Sequence, residues 1–232
     1  MSVAADLPLP VAEFLDVKQA TGRTGKVFES LGSRSTVNNL RMLSVLLGKR
    51  RCNSSLEIGL CFGASALLFA EYHRRQNHPD HSHMAIDPYQ ITVWDSVGLD
   101  VLKKAGLNRH VEFRNAPSAL VLPELLASGR SFDLIYVDGS HLFEDVFVDA
   151  YFSSRLLADG GILAFDDCAS PHIRKVMRFL RCVPGLKEID LAPYRQDQLK
   201  YRAARLAGRI LLRAYERIGP IDREWNARYR WF

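Results

Sequence analysis

Carboxylates stand at the ends of four short apolar runs, where they could bind a cation or take a proton from a hydroxyl. They are Glu57, Asp87, Asp138 and the adjacent pair Asp166 and Asp167. Short apolar runs separated by amphipathic stretches are typical of buried strands in a parallel sheet. Parallel strands end at one edge, and ligands of open α/β sheets bind outside that edge, so the five carboxylates predict a binding site. Because like charges repel, the site requires a cation, a metal or hydroxyl donors.

The elements that must position these carboxylates alternate between strand and helix. The alternation predicts an α/β fold, with a doubly wound, mostly parallel sheet and helices on both faces. The 232 residues, 47% hydrophobic and 25% charged, suit one such domain with appendages. We place the domain at residues 36–195, after an N-terminal segment 1–35 and before a C-terminal extension 196–232.

Several element boundaries bear on the site. Ser35 is expected to cap a helix over residues 36–47, and a second helix is expected over roughly 91–105. A strand is predicted at 111–114 and a last one at 186–191. The histidines at 78, 81 and 83 fall in a polar stretch that we interpret as a solvated loop.

A glycine turn follows the first of the four runs. Between Gly59 and Gly63 it lacks the middle glycine of a dinucleotide fingerprint, which argues against NAD or FAD and favours a nucleoside without a pyrophosphate. Asp87 is placed to accept both hydroxyls of a ribose, and Glu57 could attract a positively charged ligand. The alternatives are an ordinary strand–helix turn for the glycines and a helix cap for Asp87.

The stretch from Leu56 to Ser65 resembles the first motif of class I S-adenosylmethionine-dependent methyltransferases, and Asp87 and residues 113–116 follow in the family's order. The resemblance covers roughly residues 35–190. It implies a seven-stranded Rossmann-like fold that ends in an antiparallel strand pair. It also implies that S-adenosylmethionine lies against these carboxylates and glycines, with Glu57, Gly59, Gly63 and Ser65 at the methionine part, Asp87 at the ribose, Asn115, Ala116 and Ser118 at the adenine, and Asp138 nearby.

The acidic residues after the third and fourth runs resemble those of metal-dependent O-methyltransferases. By this resemblance Asp138, Asp166 and Asp167 would hold a divalent cation, taken to be Mg²⁺, which lowers the pKa of a bound hydroxyl. His141 or Asp138 would take the proton, and we favour His141 because imidazole ordinarily titrates near neutrality. The alternatives are a capping or supporting role for His141, and a solvated loop or helix cap for the aspartate pair.

The C-terminal extension is the basic part of the chain. Residues 193–232 hold ten of the 31 Lys/Arg and four of the 26 Asp/Glu, which leaves 21 basic and 22 acidic residues elsewhere. Apolar residues and arginines recur at helical spacing over 197–218, which predicts an amphipathic basic helix, although residues 199–206 could instead form the last strand. We expect this helix to pack on the domain or on a second subunit of a homo-oligomer. Peripheral membrane contact stays open, whereas the narrow basic stripe argues against nucleic acid. The aromatic residues 225–232 are expected to dock.

The sequence thus predicts a cytoplasmic, metal-assisted O-methyltransferase whose substrate is a small polyhydroxylated molecule, such as a sugar or natural product. No apolar run approaches a membrane span, the N-terminus has no features of a signal peptide, and no cysteine pair has metal-site spacing. Two alternatives stay open. One is a metal-independent methyltransferase acting on RNA or protein, and the other is a non-catalytic nucleoside-binding scaffold.

Overall fold

The computed structural model describes residues 6–49, 51–77, 82–195 and 197–221. The chain divides into two compact units, residues 1–118 and 119–232, here called unit 1 and unit 2. Their strands include seven that belong to one mostly parallel sheet, which confirms the predicted α/β fold. None of the described helices combines the length and apolar character that a membrane span requires.

Unit 1 contains three parallel strands of this sheet. Their order is β5-β4-β3, and β3 runs beside β4 with Ser55 opposite His83 and Glu57 opposite Ala85. After its first residue each of β3 and β4 is fully buried, as expected for central parallel strands. The elements of unit 1 are α1 (Leu9–Asp16), β1 (Ala20–Thr21), β2 (Val27–Phe28), α2 (Val37–Lys49), β3 (Ser54–Ile58), α3 (Ala64–Gln76), β4 (Ser82–Ile86), α4 (Val97–Lys104) and β5 (Val111–Arg114).

The starts of two helices in unit 1 bear on the predictions. At the start of α2 the hydroxyl of Thr36 accepts a hydrogen bond from the backbone N–H of Asn39, and the predicted cap by Ser35 stays a prediction. The predicted helix over 91–105 begins only at Val97, because residues before it form turns in which Asp95 and Ser96 take positive φ angles of 48° and 63°. The Asp95 carboxylate accepts hydrogen bonds from the Thr24 N–H and hydroxyl there, a long-range contact that helical periodicity does not reveal.

Unit 2 contains the remaining strands of the sheet. Strand β6 runs parallel to β7, while β9 pairs antiparallel with both β7 and β8. The antiparallel pair that the resemblance implied is therefore β9 with β8. The elements of unit 2 are α5 (Ser118–Ala127, whose first residue ends unit 1), β6 (Phe132–Val137), α6 (Phe143–Leu156), β7 (Leu157–Phe165), α7 (Pro171–Leu180), β8 (Leu186–Glu188), α8 (Gln198–Leu206) and β9 (Arg213–Arg217).

The C-terminal segment departs most from its predicted structure. The single basic helix predicted over 197–218 is wrong, and so is the alternative of a strand at 199–206. Helix α8 ends at Leu206 and β9 follows, with Ala214 and Tyr215 fully buried. Strand β9 of the sheet therefore lies beyond residue 195, inside the predicted C-terminal extension. The predicted strand at 186–191 is also shorter, and the aromatic stretch 225–232 lies outside the described residues.

The burial of β9 can be tested with one substitution made at two sites. Ala214→Glu places a charge where Ala214 is 0% exposed, so we expect it to lower the free energy of unfolding by about 3 kcal/mol or more. Leu199→Glu, at a residue 85% exposed on α8, should change it by about 0.5 kcal/mol at most. Urea denaturation followed by circular dichroism measures both. Equal losses would show that residues 213–217 are no more part of the core than α8 is.

Candidate functional site

The glycine turn of unit 1 joins β3 to α3 through three residues with left-handed backbone. Gly59, Cys61 and Gly63 have φ angles of 99°, 47° and 86°. A Cβ atom at Gly63 would lie 3.0 Å from the carbonyl oxygen of Gly98, so lack of space and backbone geometry both favour glycine there. The chain thus reverses sharply beyond β3, at the predicted place for the cofactor.

Asp87 holds this turn from the end of β4. Its Oδ2 accepts hydrogen bonds from the backbone N–H groups of Leu60 and Cys61, at 3.2 and 2.9 Å, and its Oδ1 accepts one from Tyr89 at 2.8 Å. A carboxylate oxygen accepts two hydrogen bonds, so Oδ1 keeps capacity for a further donor. The ribose contact of Asp87 stays a prediction, and the structure adds a second role, which is to fasten the turn.

Gln90 is a residue that the sequence analysis missed. Its side-chain amide donates to the carbonyl of Cys61 at 2.8 Å and accepts from the N–H of Gly98 at 3.1 Å. Gln90 therefore ties the glycine turn to the start of α4, and it is fully buried. Its only sequence signal is its place three residues after Asp87, which is too weak to assign a role.

Glu57 lies one residue before the end of β3 and is completely buried. Neither carboxyl oxygen meets a hydrogen-bond donor in good geometry among the described residues, although His83 Nε2 lies 3.2 Å from Oε1. Burial raises the pKa of Glu57 to about 8, Ser65 acts against this rise, and the charge of Asp87 adds to it. Glu57 is thus a neutral acid at pH 7 until a positive charge comes close.

His83 belongs to strand β4 rather than to the solvated loop that the sequence suggested. Its ring is buried and stacks on Phe69, with the centroids 4.7 Å apart, and burial lowers its pKa to about 3. The Ser55 hydroxyl lies 2.9 Å from His83 Nδ1 and 2.7 Å from Nε2 of His73 on α3. Residues 78 and 81, the other two histidines of that stretch, lie outside the described residues.

The predicted adenine contacts lie just after β5. Asn115 is exposed, Ala116 and Ser118 are half-buried, and Ser118 is the first residue of α5. These positions at the carboxyl end of a parallel strand suit a ligand. Their contact with adenine stays a prediction, as does the contact of Ser65, on the first turn of α3, with the methionine part.

In unit 2, two of the predicted carboxylates lie within hydrogen-bonding distance of one tyrosine. Asp138 follows β6 and Asp166 follows β7. The hydroxyl of buried Tyr136 donates to Asp166 Oδ2 at 2.6 Å and lies 3.0 Å from Asp138 Oδ2. The sequence analysis missed Tyr136, because a tyrosine inside an apolar strand reads as part of the core.

Asp167 is paired with His141. Its Oδ2 lies 2.8 Å from His141 Nε2, and its backbone takes the left-handed conformation with φ of 51°. Burial, and next the charge of Asp166, raise the pKa of Asp167, while His141 opposes this rise. The His141 side chain is 61% exposed, so the imidazole is open to solvent while a carboxylate orients it, and its role as a base stays a prediction.

The three aspartates of unit 2 have the chemistry of a site for a hard cation. A cavity of about 10 Å³, lined in part by Asp138, His141, Asp166 and Asp167, has room for one water-sized species. Carboxylate oxygens are the ligands that Mg²⁺ prefers. The described residues do not, however, set three acidic, histidine or cysteine side chains around one point. Tyr136 holds two of the aspartates and His141 holds the third.

Comparison with known proteins agrees with this fold. A family model described as a methyltransferase domain matches residues 56–168. Tricin synthase 2 of Oryza sativa subsp. japonica is 29% identical over 130 residues, which is 55% of this chain and 42% of that protein. Caffeoyl-CoA O-methyltransferase 2 of Petunia hybrida is 28% identical over 163 residues, 61% of this chain and 60% of that protein. The chain therefore spans less than two thirds of the length of these relatives.

Among solved structures, the O-methyltransferase TomG from Streptomyces achromogenes, in complex with S-adenosylmethionine, superposes with a TM-score of 0.64 at 18% identity. The superposition covers 83% of this chain and 85% of that one, and at this identity it supports the fold alone. Residues 56–168 thus match a methyltransferase domain, and the fold agrees with that match. The named relatives are O-methyltransferases, and the reaction of this chain is proposed below.

The buried acid predicts an unusual dependence of stability on pH. The pKa of Glu57 is about 8 in the folded protein and near 4.5 in the unfolded chain. The unfolded chain therefore gives up this proton first, and stability falls as pH rises from about 4.5 to 8. Glu57→Gln removes the effect, so we expect the variant to gain stability over the wild type by on the order of 2 kcal/mol between pH 5 and pH 7.5.

Glu71 on α3, whose pKa is shifted in the opposite direction, supplies a matched control. Its carboxylate pairs with Arg74 and Arg75 at 2.7 and 2.8 Å, and the hydrogen bond from Arg74 is the first cause that lowers its pKa. Its stabilisation is complete above the unfolded pKa of 4.5 and is lost only as pH falls below that value, so Glu71→Gln should be less stable than wild type by a nearly constant amount between pH 5.0 and 7.5. Urea denaturation at pH 5.0 and 7.5 measures both variants. A Glu57→Gln curve parallel to wild type would contradict a neutral buried Glu57.

Proposed function

We propose that the chain is an S-adenosylmethionine-dependent O-methyltransferase that acts on a hydroxyl of a small polyhydroxylated molecule, such as a sugar or natural product. The observation that carries the proposal is the His141–Asp167 pair beside Asp166 and Asp138. A neutral hydroxyl is a poor nucleophile, and an exposed imidazole oriented by a carboxylate can take its proton. The relatives named as O-methyltransferases support the same reaction.

S-adenosylmethionine is the proposed methyl donor, and unit 1 offers the features that it needs. The glycine turn reverses the chain through left-handed residues at the end of β3, Asp87 keeps an oxygen available for a ribose hydroxyl, and Glu57 could ionise to balance the ammonium group of the donor. The solved O-methyltransferase that binds this donor has the same fold. Transfer then depends on holding the substrate oxygen in line with the methyl group.

His141 is the proposed base, and Asp167 has two tasks towards it. The 2.8 Å contact orients the ring, and the carboxylate charge stabilises the imidazolium that forms when the ring takes the hydroxyl proton. Asp138, the second candidate base, shares Tyr136 with Asp166 and is thereby less available as a proton acceptor. We therefore keep His141 as the base and give Asp138 a supporting role.

A divalent cation, Mg²⁺ by donor chemistry, is a further part of the proposal. Asp138, Asp166 and Asp167 would hold it, and a bound cation would lower the pKa of the substrate hydroxyl and fix its oxygen. Because His141 already contacts Asp167, a cation on that carboxylate competes with the imidazole for it. A cation-independent enzyme would instead depend on the His141–Asp167 pair alone.

The partners and the location of the chain are also part of the proposal. We propose a small hydroxylated substrate, a homo-oligomeric state and a cytoplasmic site of action. Strand β9 accounts for part of the basic C-terminal segment, since Arg213 pairs with Glu188 at 3.0 Å inside the sheet. This pairing leaves fewer of its arginines for a membrane surface.

Substitution of the base provides the first test. His141→Gln should lower kcat by about 100-fold or more while leaving the dissociation constant for S-adenosylhomocysteine within about twofold of wild type. His172→Gln, a change of an exposed histidine on α7, is the matched control and should leave both unchanged. Turnover with a panel of catechols, sugars and glycosides measures the first quantity, and calorimetry measures the second. Unchanged kcat in His141→Gln would exclude it as the base.

The cation is tested separately on the same wild-type protein. With excess EDTA we expect turnover to fall to background and to return when Mg²⁺ is restored, and Asp166→Asn should abolish the Mg²⁺ response. Full turnover in EDTA would leave the methyltransferase in place but remove the cation. If the protein neither binds S-adenosylhomocysteine nor turns over any substrate, the proposed methyl donor is wrong.

A further inference from the structure

Helix α8 of unit 2 is attached through one face. Tyr201 is the buried residue of this helix, at 6% exposure, and the Arg195 guanidinium lies over its ring, 4.9 Å from the centroid. Arg205, one turn further on the same face, pairs with Asp190 at 3.0 Å and with Glu188 at 3.4 Å. These contacts fix the rotation of α8 about its own axis, so the opposite face is turned to solvent.

The face of α8 that is turned to solvent carries apolar side chains. Leu199 is 85% exposed and Leu206 is 92% exposed, and the exposed Ala203 lies between them at helical spacing. We call Leu199, Ala203 and Leu206 the outer stripe. Leucines with so much exposed surface protrude from the helix, so the outer stripe is a ridge and not a groove.

Basic residues flank the outer stripe on both sides. Each residue of a helix is rotated by about 100° from the one before it, which places Lys200 on one side of the stripe and Arg202 on the other. Both are exposed, and the exposed Arg209 follows just after the helix. Residues 198–212 contain no aspartate or glutamate, so the surface around the stripe has a positive charge.

We propose that the outer stripe inserts into the surface of an anionic lipid bilayer, with α8 lying in the plane of the membrane. A helix that binds in this way places its apolar face at the boundary between headgroups and acyl chains. Lys200 and Arg202 can then extend their side chains to the lipid phosphates, and each basic residue near an anionic surface adds attraction. The stripe contains only two leucines, so binding is reversible and requires both the apolar contact and the charge. This inference is independent of the proposed function.

An anionic bilayer accounts for more of these features than other partners do. Two copies of the chain joined through their outer stripes would bring Lys200 and Arg202 of one copy against those of the other, and like charges in contact weaken binding. A nucleic acid would bind the cations through its phosphates and leave the leucines in water. A bilayer surface takes up protruding leucines without a matching pocket and supplies the negative charge as well.

Sedimentation of the full chain with lipid vesicles tests the proposal. At low salt we expect binding to vesicles of equal parts phosphatidylglycerol and phosphatidylcholine to exceed binding to phosphatidylcholine alone by about tenfold, and to weaken at high salt. Leu199→Ser combined with Leu206→Ser should lower binding to the anionic vesicles by about tenfold. Leu9→Ser combined with Leu120→Ser is the matched control, at leucines 67% and 68% exposed on other helices, and should bind as wild type does.

Charge and shape are tested by two further changes. Lys200→Gln combined with Arg202→Gln should remove most of the preference for anionic vesicles. Lys103→Gln combined with Lys104→Gln removes the same charge from exposed positions of α4 and should leave the preference unchanged. Leu206→Trp should bind at least as tightly as wild type, because tryptophan is favoured at bilayer interfaces, whereas a protein pocket shaped for leucine would reject the larger ring.

The outcomes separate the bilayer from other partners of the outer stripe. Equal binding to neutral and anionic vesicles would overturn the inference, and so would binding that survives the two serine substitutions, because another part of the chain would then hold the lipid. Absence of vesicle binding would also overturn it. If the sedimentation coefficient without lipid then falls in the variant with both Leu199→Ser and Leu206→Ser, the outer stripe is instead a contact between copies of the chain. All the substituted residues are exposed, so the circular dichroism of each variant should match that of the wild type.

Discussion

The carboxylate of Asp87 is the interaction on which the cofactor side of unit 1 depends. A turn that reverses the chain through three left-handed residues leaves backbone N–H groups without partners, and buried unpaired N–H groups are costly. Asp87 accepts two of them from the neighbouring strand, and Gln90 ties the opposite side of the turn to Gly98. Side chains that follow β4 thus supply hydrogen-bond partners on both sides of the turn.

The five carboxylates of the predicted set have their charges offset in four ways. Asp87 uses backbone amides, Asp138 and Asp166 use the Tyr136 hydroxyl, and Asp167 uses His141. Glu57 alone has no geometrically good donor, and it stays neutral because burial raises its pKa to about 8. The sequence analysis expected cations, metals or hydroxyls to compensate these charges. Backbone donors account for Asp87 and protonation accounts for Glu57, so two of the five are offset by means that the sequence analysis did not consider.

The sequence predicted the strands and their acidic ends well because both depend on local patterns. Apolar runs of strand length and a glycine turn are visible in any short window of the chain. The tie of Asp95 to Thr24 and the pairing of β9 with β7 join residues far apart in sequence, so the helix over 91–105 and the basic helix over 197–218 were predicted where neither forms in full. The contacts of Tyr136 and His83, which lie inside strands, and of Gln90, which lies in a loop, also join residues far apart or in different elements. Their residue types alone do not predict these contacts.

The proposed function divides the chemistry according to what each reactant needs. S-adenosylmethionine presents ribose hydroxyls and an ammonium group, and unit 1 would meet them with the glycine turn, the fixed carboxylate of Asp87 and the buried acid Glu57. A hydroxyl substrate has to lose a proton, and unit 2 would meet it with the exposed His141 and with aspartates already bonded to neighbouring side chains. Burial favours the neutral form of Glu57, and Asp167 is paired with His141, so in either unit a ligand would replace a compensation that the protein already supplies.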